Sequence, residues 1–507
     1  MDINRFNNYL FSIDKALRIM SDEEFLIFNK KLYNLIQFSK EKKRKELDGI
    51  FDIALKMKDL GATLEAAEIL YNDYLYFLKK NNQTKAYKRA CYVVSYGVLR
   101  AGSPFFIDFM YRMIKEVEIH CKYRSFLVIF LNTEGIYNHI HFKYKKARIA
   151  YNKSLEIIKD ISSEQFYRDT GYKKILYISL IKNNISDINL QILYRNGYDK
   201  NLVNEIHSNI QDVPKEDEYF YIITHLTLAE LLAFTKQKHK ADKIFTDLNR
   251  IKKPVHRKWI ESVKKRIVAN SYYLNEQYEK ALDYAMENFS ISVKTNLIIE
   301  EKISLNFYFN LFLKIMNQKS LFSYRNQKIF TENILRVLTN KDWYTGRDHS
   351  REVQKLSIKM GEYMNLPSSK MSILSLGSLF HDIGKLNIGW FTLNKVFPLS
   401  ELDWELIRTH CAEGEKLINR LGLDSCSYIV RNHHERLDGS GYPNGIINMD
   451  RLTQITALAD IFEASTTPNR KYRRAKSKET AVKEIKSFSN VLICKEAIDA
   501  FLHVIEI

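Results

Sequence analysis

The sequence predicts an all-α protein, and three observations predict it. Its 507 residues include only 17 Gly and 7 Pro, too few to punctuate a chain of many strands and tight turns. Apolar residues recur at helical spacing between short polar turns through most of the chain. Hydrophobic residues make up 45% of the total, enough for the two or three cores that a chain of this length calls for.

The formal net charge is +18, from 78 Lys and Arg against 60 Asp and Glu. Such an excess suits anionic partners: nucleotides, nucleic acid or acidic membrane surfaces. Abundant Lys, Ile, Asn and Tyr also give a basic chain by composition alone, so charge supports a phosphate-bearing substrate without proving one. Cys91, Cys121, Cys411, Cys426 and Cys494 form no CxxC pair and are odd in number, a pattern of a reducing compartment rather than a disulfide framework. Residues 1–10 are polar, unlike a secretory signal, and apolar runs such as 126–131 (FLVIFL) fall far short of a membrane span. The expectation is a cytoplasmic protein.

The first three hundred or so residues read as amphipathic helices. In the segment 132–158, Gly135 is followed by Ala147, Tyr151 and Ser154 at offsets of 12, 16 and 19. Small residues at those points let the two helices of a hairpin approach closely, while the aromatic fills the groove between them. Related spacings recur at Ala229, Ala241 and Phe245, and at Ala269, Ala281 and Ala285 with Tyr272. This pattern resembles the tetratricopeptide repeat, with insertions; the stretch 171–198 and everything before Gly61 fit it poorly. The resemblance implies a helical-hairpin solenoid whose concave face takes a peptide or protein partner, or which serves as a spacer or homodimerisation element. The aromatics Tyr71, Tyr74, Tyr76 and Phe77 are expected in the core. A polar, less periodic stretch at 317–327 marks a junction, placed at 319–334 between a helical region over 1–318 and a C-terminal domain over 335–507.

The chemistry is concentrated in that last third. Five of the 13 His lie between His349 and His434. His381 and Asp382 open HDIGK, His410 lies in IRTHCAEG, and His433 and His434 are adjacent before the Gly-rich DGSGYP. Asp460 follows in an apolar helix, flanked by Leu458, Ala459, Ile461 and Phe462. A carboxylate so placed needs a cation or donors beside it. Imidazoles and carboxylates in this number form a ligand set large enough for two metal ions, with Asp382 as the natural bridge. Lys385, three residues beyond Asp382, reaches the same face.

These segments resemble the HD-GYP subclass of HD-domain phosphohydrolases. The match runs through HDIGK (381–385), His410, HHERLDGSGYP (433–443), ADIFEA (459–464) and NRKYRRA (469–475). The resemblance implies a helical metal-dependent phosphodiesterase acting on a cyclic dinucleotide, chiefly cyclic di-GMP, and not on nucleic acid, with iron or manganese. It implies His349, His381, Asp382, His410, His433, His434 and Asp460 as metal ligands, with Asp382 and Lys385 catalytic and Lys385 on the scissile phosphate. It also implies Gly439, Gly441, Tyr442, Arg470 and Arg473 around the second phosphate or the bases. Thr345 stands where three-metal relatives carry a Glu, which favours two ions. Glu463 replaces an Asp and falls where a base would be read, as does the lengthened segment before Arg470. A cyclic GMP-AMP phosphodiesterase and a non-catalytic cyclic-dinucleotide sensor are the competing readings.

Overall fold

Few helix breakers and steady 3.6-residue periodicity give a chain in which helix follows helix. The computed structural model describes residues 22–40, 50–60, 62–119, 123–210, 217–251, 254–294, 298–316, 324–342, 348–396, 398–467 and 475–506. Among them no β-strand occurs beyond an isolated bridge between Ser489 and Ile493. No helix among them is long and apolar enough to cross a membrane. The chain divides into two compact units, Met1–Ile315 and Met316–Ile507.

The first unit contains α1 (Asp22–Lys40), α2 (Ile50–Leu60), α3 (Thr63–Lys79), α4 (Gln83–Val94), a π-helical turn (Ser95–Ala101), α5 (Pro104–Ile119), α6 (Arg124–Ile140) and α7 (Tyr144–Lys159). It continues with α8 (Ser163–Thr170), α9 (Lys174–Asn196), α10 (Lys200–Ile210), α11 (Glu218–Phe234), α12 (Lys238–Leu248), α13 (Pro254–Leu274), α14 (Tyr278–Lys294) and α15 (Ile298–Met316). The small residues picked out by spacing sit where helices touch. A methyl group on Gly135 of α6 would stand 2.3 Å from the Tyr151 ring of α7, and Ser154 Oγ donates to the Val128 carbonyl at 2.9 Å. Ala229, Ala241 and Phe245 share one core between α11 and α12, and Ala269, Ala281 and Ala285 are fully buried. The poorly fitting stretch 171–198 is mostly the single long helix α9. Of the expected core aromatics, Tyr74 is buried, whereas Tyr71, Tyr76 and Phe77 are half-buried. Tyr71 packs edge-on against Phe105 and Phe109 of α5, and Arg89 lies over Phe77. At Phe77 a cation thus covers part of a ring that packing leaves half-buried.

The second unit contains α16 (Tyr324–Lys341), α17 (His349–Tyr363), α18 (Ser368–Phe380), a 3-10 turn (Ile383–Asn387), α19 (Trp390–Leu393), α20 (Glu401–Arg420), α21 (Ser427–Asn432), α22 (Arg451–Thr466), α23 (Lys478–Lys486) and α24 (Lys495–Glu506). Helix α16 therefore begins inside the stretch expected as a junction. Local signals fix the starts of the helices that matter. Ser400 and Asp403 form a reciprocal capping box on α20, and the Asp450 carboxylate accepts from the Thr453 N–H at 2.7 Å to start α22. Met360, Leu374, Ile455, Leu458, Ile498 and Phe501 join α17, α18, α22 and α24 in one core. The 3-10 turn lies directly on α20: a methyl on Gly384 would stand 1.8 Å from the His410 carbonyl oxygen. Only glycine permits that approach.

Candidate metal centre

Five elements deliver the seven expected ligands to one place. His349 opens α17, His381 caps α18 and leads into Asp382, and His410 projects from the middle of α20. His433 caps α21 and is followed by His434, and Asp460 lies on α22. The atoms fall into two groups that share Asp382: His349, His381 and Asp382, and Asp382, His410, His433 and His434, the ligand atoms of each group lying within 4.8 Å of one another. Asp382 divides its oxygens between them. Oδ2 stands 3.6 Å from His349 Nε2 and 3.3 Å from His381 Nε2, while Oδ1 stands 3.6 Å from His410 Nε2 and 3.9 Å from His433 Nε2. Asp460 Oδ1 joins the first group, 3.3 Å from His349 Nε2 and 3.8 Å from His381 Nε2.

The outward nitrogens are also held. His381, His410 and His433 each direct Nδ1 at a backbone carbonyl three residues earlier: Ser378 at 2.7 Å, Ile407 at 2.7 Å and Val430 at 2.9 Å. A carbonyl only accepts, so Nδ1 carries the proton and Nε2 presents its lone pair inward. His349 Nδ1 instead meets the Glu463 carboxylate. Glu463, which the sequence places where a base would be read, lies instead against His349, its carboxylate reaching from α22 to α17.

Charge is unevenly spread over the centre. Burial pulls the His349 pKa down, but bonds to Asp382, Asp460 and Glu463 outweigh it and hold the imidazolium well above its usual range. Burial pushes Asp382 up, yet Lys385 and His381 hold its carboxyl well below the ordinary value. Asp460 is likewise held low, by His349 and His381 against burial. At the other end, burial lowers His410, and burial with the neighbouring imidazoles lowers His433 and His434. His410 and His433 are therefore neutral, with their Nε2 atoms 3.3 Å apart and their lone pairs facing. Two facing lone pairs in a buried site repel unless a cation stands between them, so these residues fit a metal ion.

Lys385, on the 3-10 turn, donates to both Asp382 Oδ2 and Asp342 Oδ2 at 2.8 Å. Burial lowers its pKa, but the two carboxylates raise it further. Tyr442 stacks on His434, with ring centroids 4.6 Å apart, and the Arg408 guanidinium lies 5.5 Å from the tyrosine ring centroid. Gly439 adopts φ +76°, and a methyl on Gly441 would stand 2.3 Å from Glu435 Cα. Both glycines thus shape the loop that carries Tyr442. Arg470, Arg473 and Thr345 lie outside the described residues.

Besides Arg408, three residues have a part in the site that the sequence reading does not single out. Asp342 is the second partner of Lys385. Glu435 is fully buried and accepts from the N–H groups of Asn444 at 2.7 Å and Ile446 at 3.1 Å, pinning the loop from below. Arg436 donates to the Glu435 carbonyl at 2.6 Å and the His433 carbonyl at 3.2 Å. A buried-pattern acid inside HHER was the available signal for Glu435.

Residues 317–492 match the family model of the HD domain. The chain is 32% identical over 211 residues to a cyclic di-GMP phosphodiesterase of Thermotoga maritima, covering 38% of this chain and 57% of that protein. It is 32% identical over 144 residues to a 3′3′-cGAMP-specific phosphodiesterase of Vibrio cholerae, covering 28% of this chain and 31% of that one. A cyclic di-GMP phosphodiesterase of Pseudomonas aeruginosa is 30% identical over 156 residues, covering 29% and 36% respectively. The chain thus spans from about a third to little over half of the length of these curated relatives.

Proposed function

We propose that the C-terminal unit, an HD domain over residues 317–492, is a two-metal phosphodiesterase that opens a cyclic dinucleotide, with cyclic di-GMP as the first-choice substrate. The observation that carries the reading is the division of Asp382 between two histidine groups. His349, His381, Asp382 and Asp460 would hold one ion, and Asp382, His410, His433 and His434 the other, as iron or manganese. Two such cations supply charge neutralisation at the phosphodiester and acidify the attacking water. In the net reaction water adds at phosphorus, the bond to the 3′ oxygen breaks, and a linear dinucleotide results; a second cut gives mononucleotides.

The protein's own groups have distinct tasks. Lys385 has three N–H donors and uses two on Asp342 and Asp382, which leaves one for a non-bridging phosphate oxygen. Tyr442, fixed on His434, offers a stacking face and a hydroxyl to the rest of the ligand, and Arg470 and Arg473 would meet its second phosphate or bases. The N-terminal hairpins would regulate the enzyme in the cytoplasm, through a peptide or protein partner or by dimerisation.

The test is to load the full chain with Mn²⁺ or Fe²⁺, offer cyclic di-GMP, 3′3′-cGAMP and cyclic di-AMP, and separate the products by chromatography. Asp382→Ala is expected to abolish turnover and lower bound metal; full activity in that variant would sink the assignment. Binding without turnover by the wild type favours a sensor instead. A 3′3′-cGAMP preference is the second reading. It is motivated by relatives named for each substrate at the same 32% identity.

A further inference from the structure

The first unit buries a second charged cluster, remote in sequence from the metal ligands. Asp187 on α9, Glu230 on α11, Arg266 on α13 and Glu300 on α15 come together from four helices. Arg266 donates to Glu300 Oε1 at 2.7 Å and to Glu230 Oε2 at 3.2 Å. Its charge is therefore matched by two carboxylates, and Asp187 is a third. Arg266, Glu230 and Glu300 are each less than 10% exposed. His139 does not restore the balance, because burial and Arg266 hold its pKa down to about 4. Three carboxylates against one guanidinium leave a buried site short of positive charge, within a chain whose net charge is +18.

The cluster opens into a recess of about 50 Å³ lined by His139, Tyr144, Asp187, Glu230, Arg266 and Asn306, among others. Glu230, one of the lining residues, keeps its Oε1 buried with no hydrogen-bond partner. A buried carboxylate oxygen left unpaired costs on the order of 1–3 kcal/mol or more, so its orientation calls for a donor from outside. Asp187 accepts a single bond, from Thr227 Oγ1 at 3.0 Å. Burial and the Glu230 charge push its pKa up to about 7, the behaviour of a carboxylate lacking a counter-ion. The volume admits one charged head group and not a nucleotide ring.

We propose that this recess binds one cationic head group, a primary ammonium or a guanidinium, carried by a small amine or by a lysine or arginine side chain of a peptide. The cation would take Glu230 Oε1 and the free oxygen of Asp187, while Arg266 stays locked between Glu230 and Glu300. Three carboxylates and one guanidinium from four helices would then report occupancy to the hairpins that supply them. This site stands independently of the phosphodiesterase reading, since its readout is binding alone.

The experiment is calorimetric titration of the full chain at pH 8, above the Asp187 value, with butylammonium, butylguanidinium, and capped pentapeptides carrying one central lysine, arginine or norleucine. Cationic probes are expected to bind at least tenfold more tightly than the norleucine peptide. Asp187→Asn and Glu230→Gln are each expected to weaken them at least tenfold, with the helical circular-dichroism signal retained. A cationic peptide tighter than the free amines identifies a peptide as the source; equal affinities identify a small amine. If Glu230→Gln fails to fold, Asp187→Asn decides, because its lost charge leaves the Arg266 pairs intact. Equal binding of cationic and neutral probes, wild-type affinity in Asp187→Asn, or no binding at millimolar concentrations would each overturn the proposal.

Discussion

At the scale of single residues, Glu463 separates two accounts of one position. Its carboxylate meets His349 Nδ1, a contact that orients the imidazole and raises its basicity toward a metal ion at Nε2. Glu463→Ala is therefore expected to weaken metal binding roughly 10–100-fold, measured by competition with a chromogenic chelator. A residue that reads a base would leave metal affinity intact and shift substrate preference instead. His349 supports a second prediction. Its pKa is raised by Asp382, Asp460 and Glu463 against burial, so the imidazole holds a proton at neutral pH that a cation must displace. Metal affinity should rise with pH, and Mn²⁺ titrations in buffers of different ionisation enthalpy should report about one proton released at pH 7; zero release would contradict the assignment. The seven side chains that meet at this centre were legible as candidate ligands because each sits in a contiguous phrase such as HDIGK or HHER. The contact of Glu463 with His349 and that of Asp342 with Lys385 were not, since the partners stand 114 and 43 residues apart and only packing brings them together.

At the scale of elements, the centre depends on how closely the 3-10 turn lies on α20. Asp382 and Lys385 flank Gly384, and His410 belongs to the helix it touches. A methyl at Gly384 would overlap the His410 carbonyl oxygen at 1.8 Å, so backbone must separate from backbone. Gly384→Ala is expected to cost on the order of 1–3 kcal/mol, seen as a lower melting temperature. Metal content should fall with it, because Asp382 and His410 move apart. A variant of normal stability and full metal content would show that the contact is slack. Gly135 obeys the same rule against Tyr151 in the α6–α7 hairpin, and there the sequence spacing did reveal the contact. Within a hairpin, offsets of 12 to 19 residues translate directly into facing positions. Between α20 and the turn before α19 no periodic relation exists, so the tight Gly384 contact could be found only in three dimensions.

At the scale of the whole molecule, the two units hold their charge differently. The C-terminal unit gathers imidazoles and carboxylates from α17, the end of α18, α20, α21 and α22, so a cation bound among them would tie these elements together. The N-terminal cluster of Asp187, Glu230, Arg266 and Glu300 was invisible in the sequence, because no motif links residues spread over more than a hundred positions on four separate helices. Metal that binds the folded site and not the unfolded chain adds stability of about 2.7 kcal/mol at a hundredfold excess over its Kd, and that gain belongs to the elements bearing ligands. Chelation of the loaded protein is therefore expected to speed amide exchange in α17, α20, α21 and the loop around Tyr442, as read by hydrogen–deuterium exchange mass spectrometry. The α6–α7 hairpin, closed by Tyr151 against Gly135 and by the bond from Ser154 to the Val128 carbonyl, should exchange at an unchanged rate. Equal acceleration along the whole chain would mean that the metal stabilises the molecule through something other than these seven side chains.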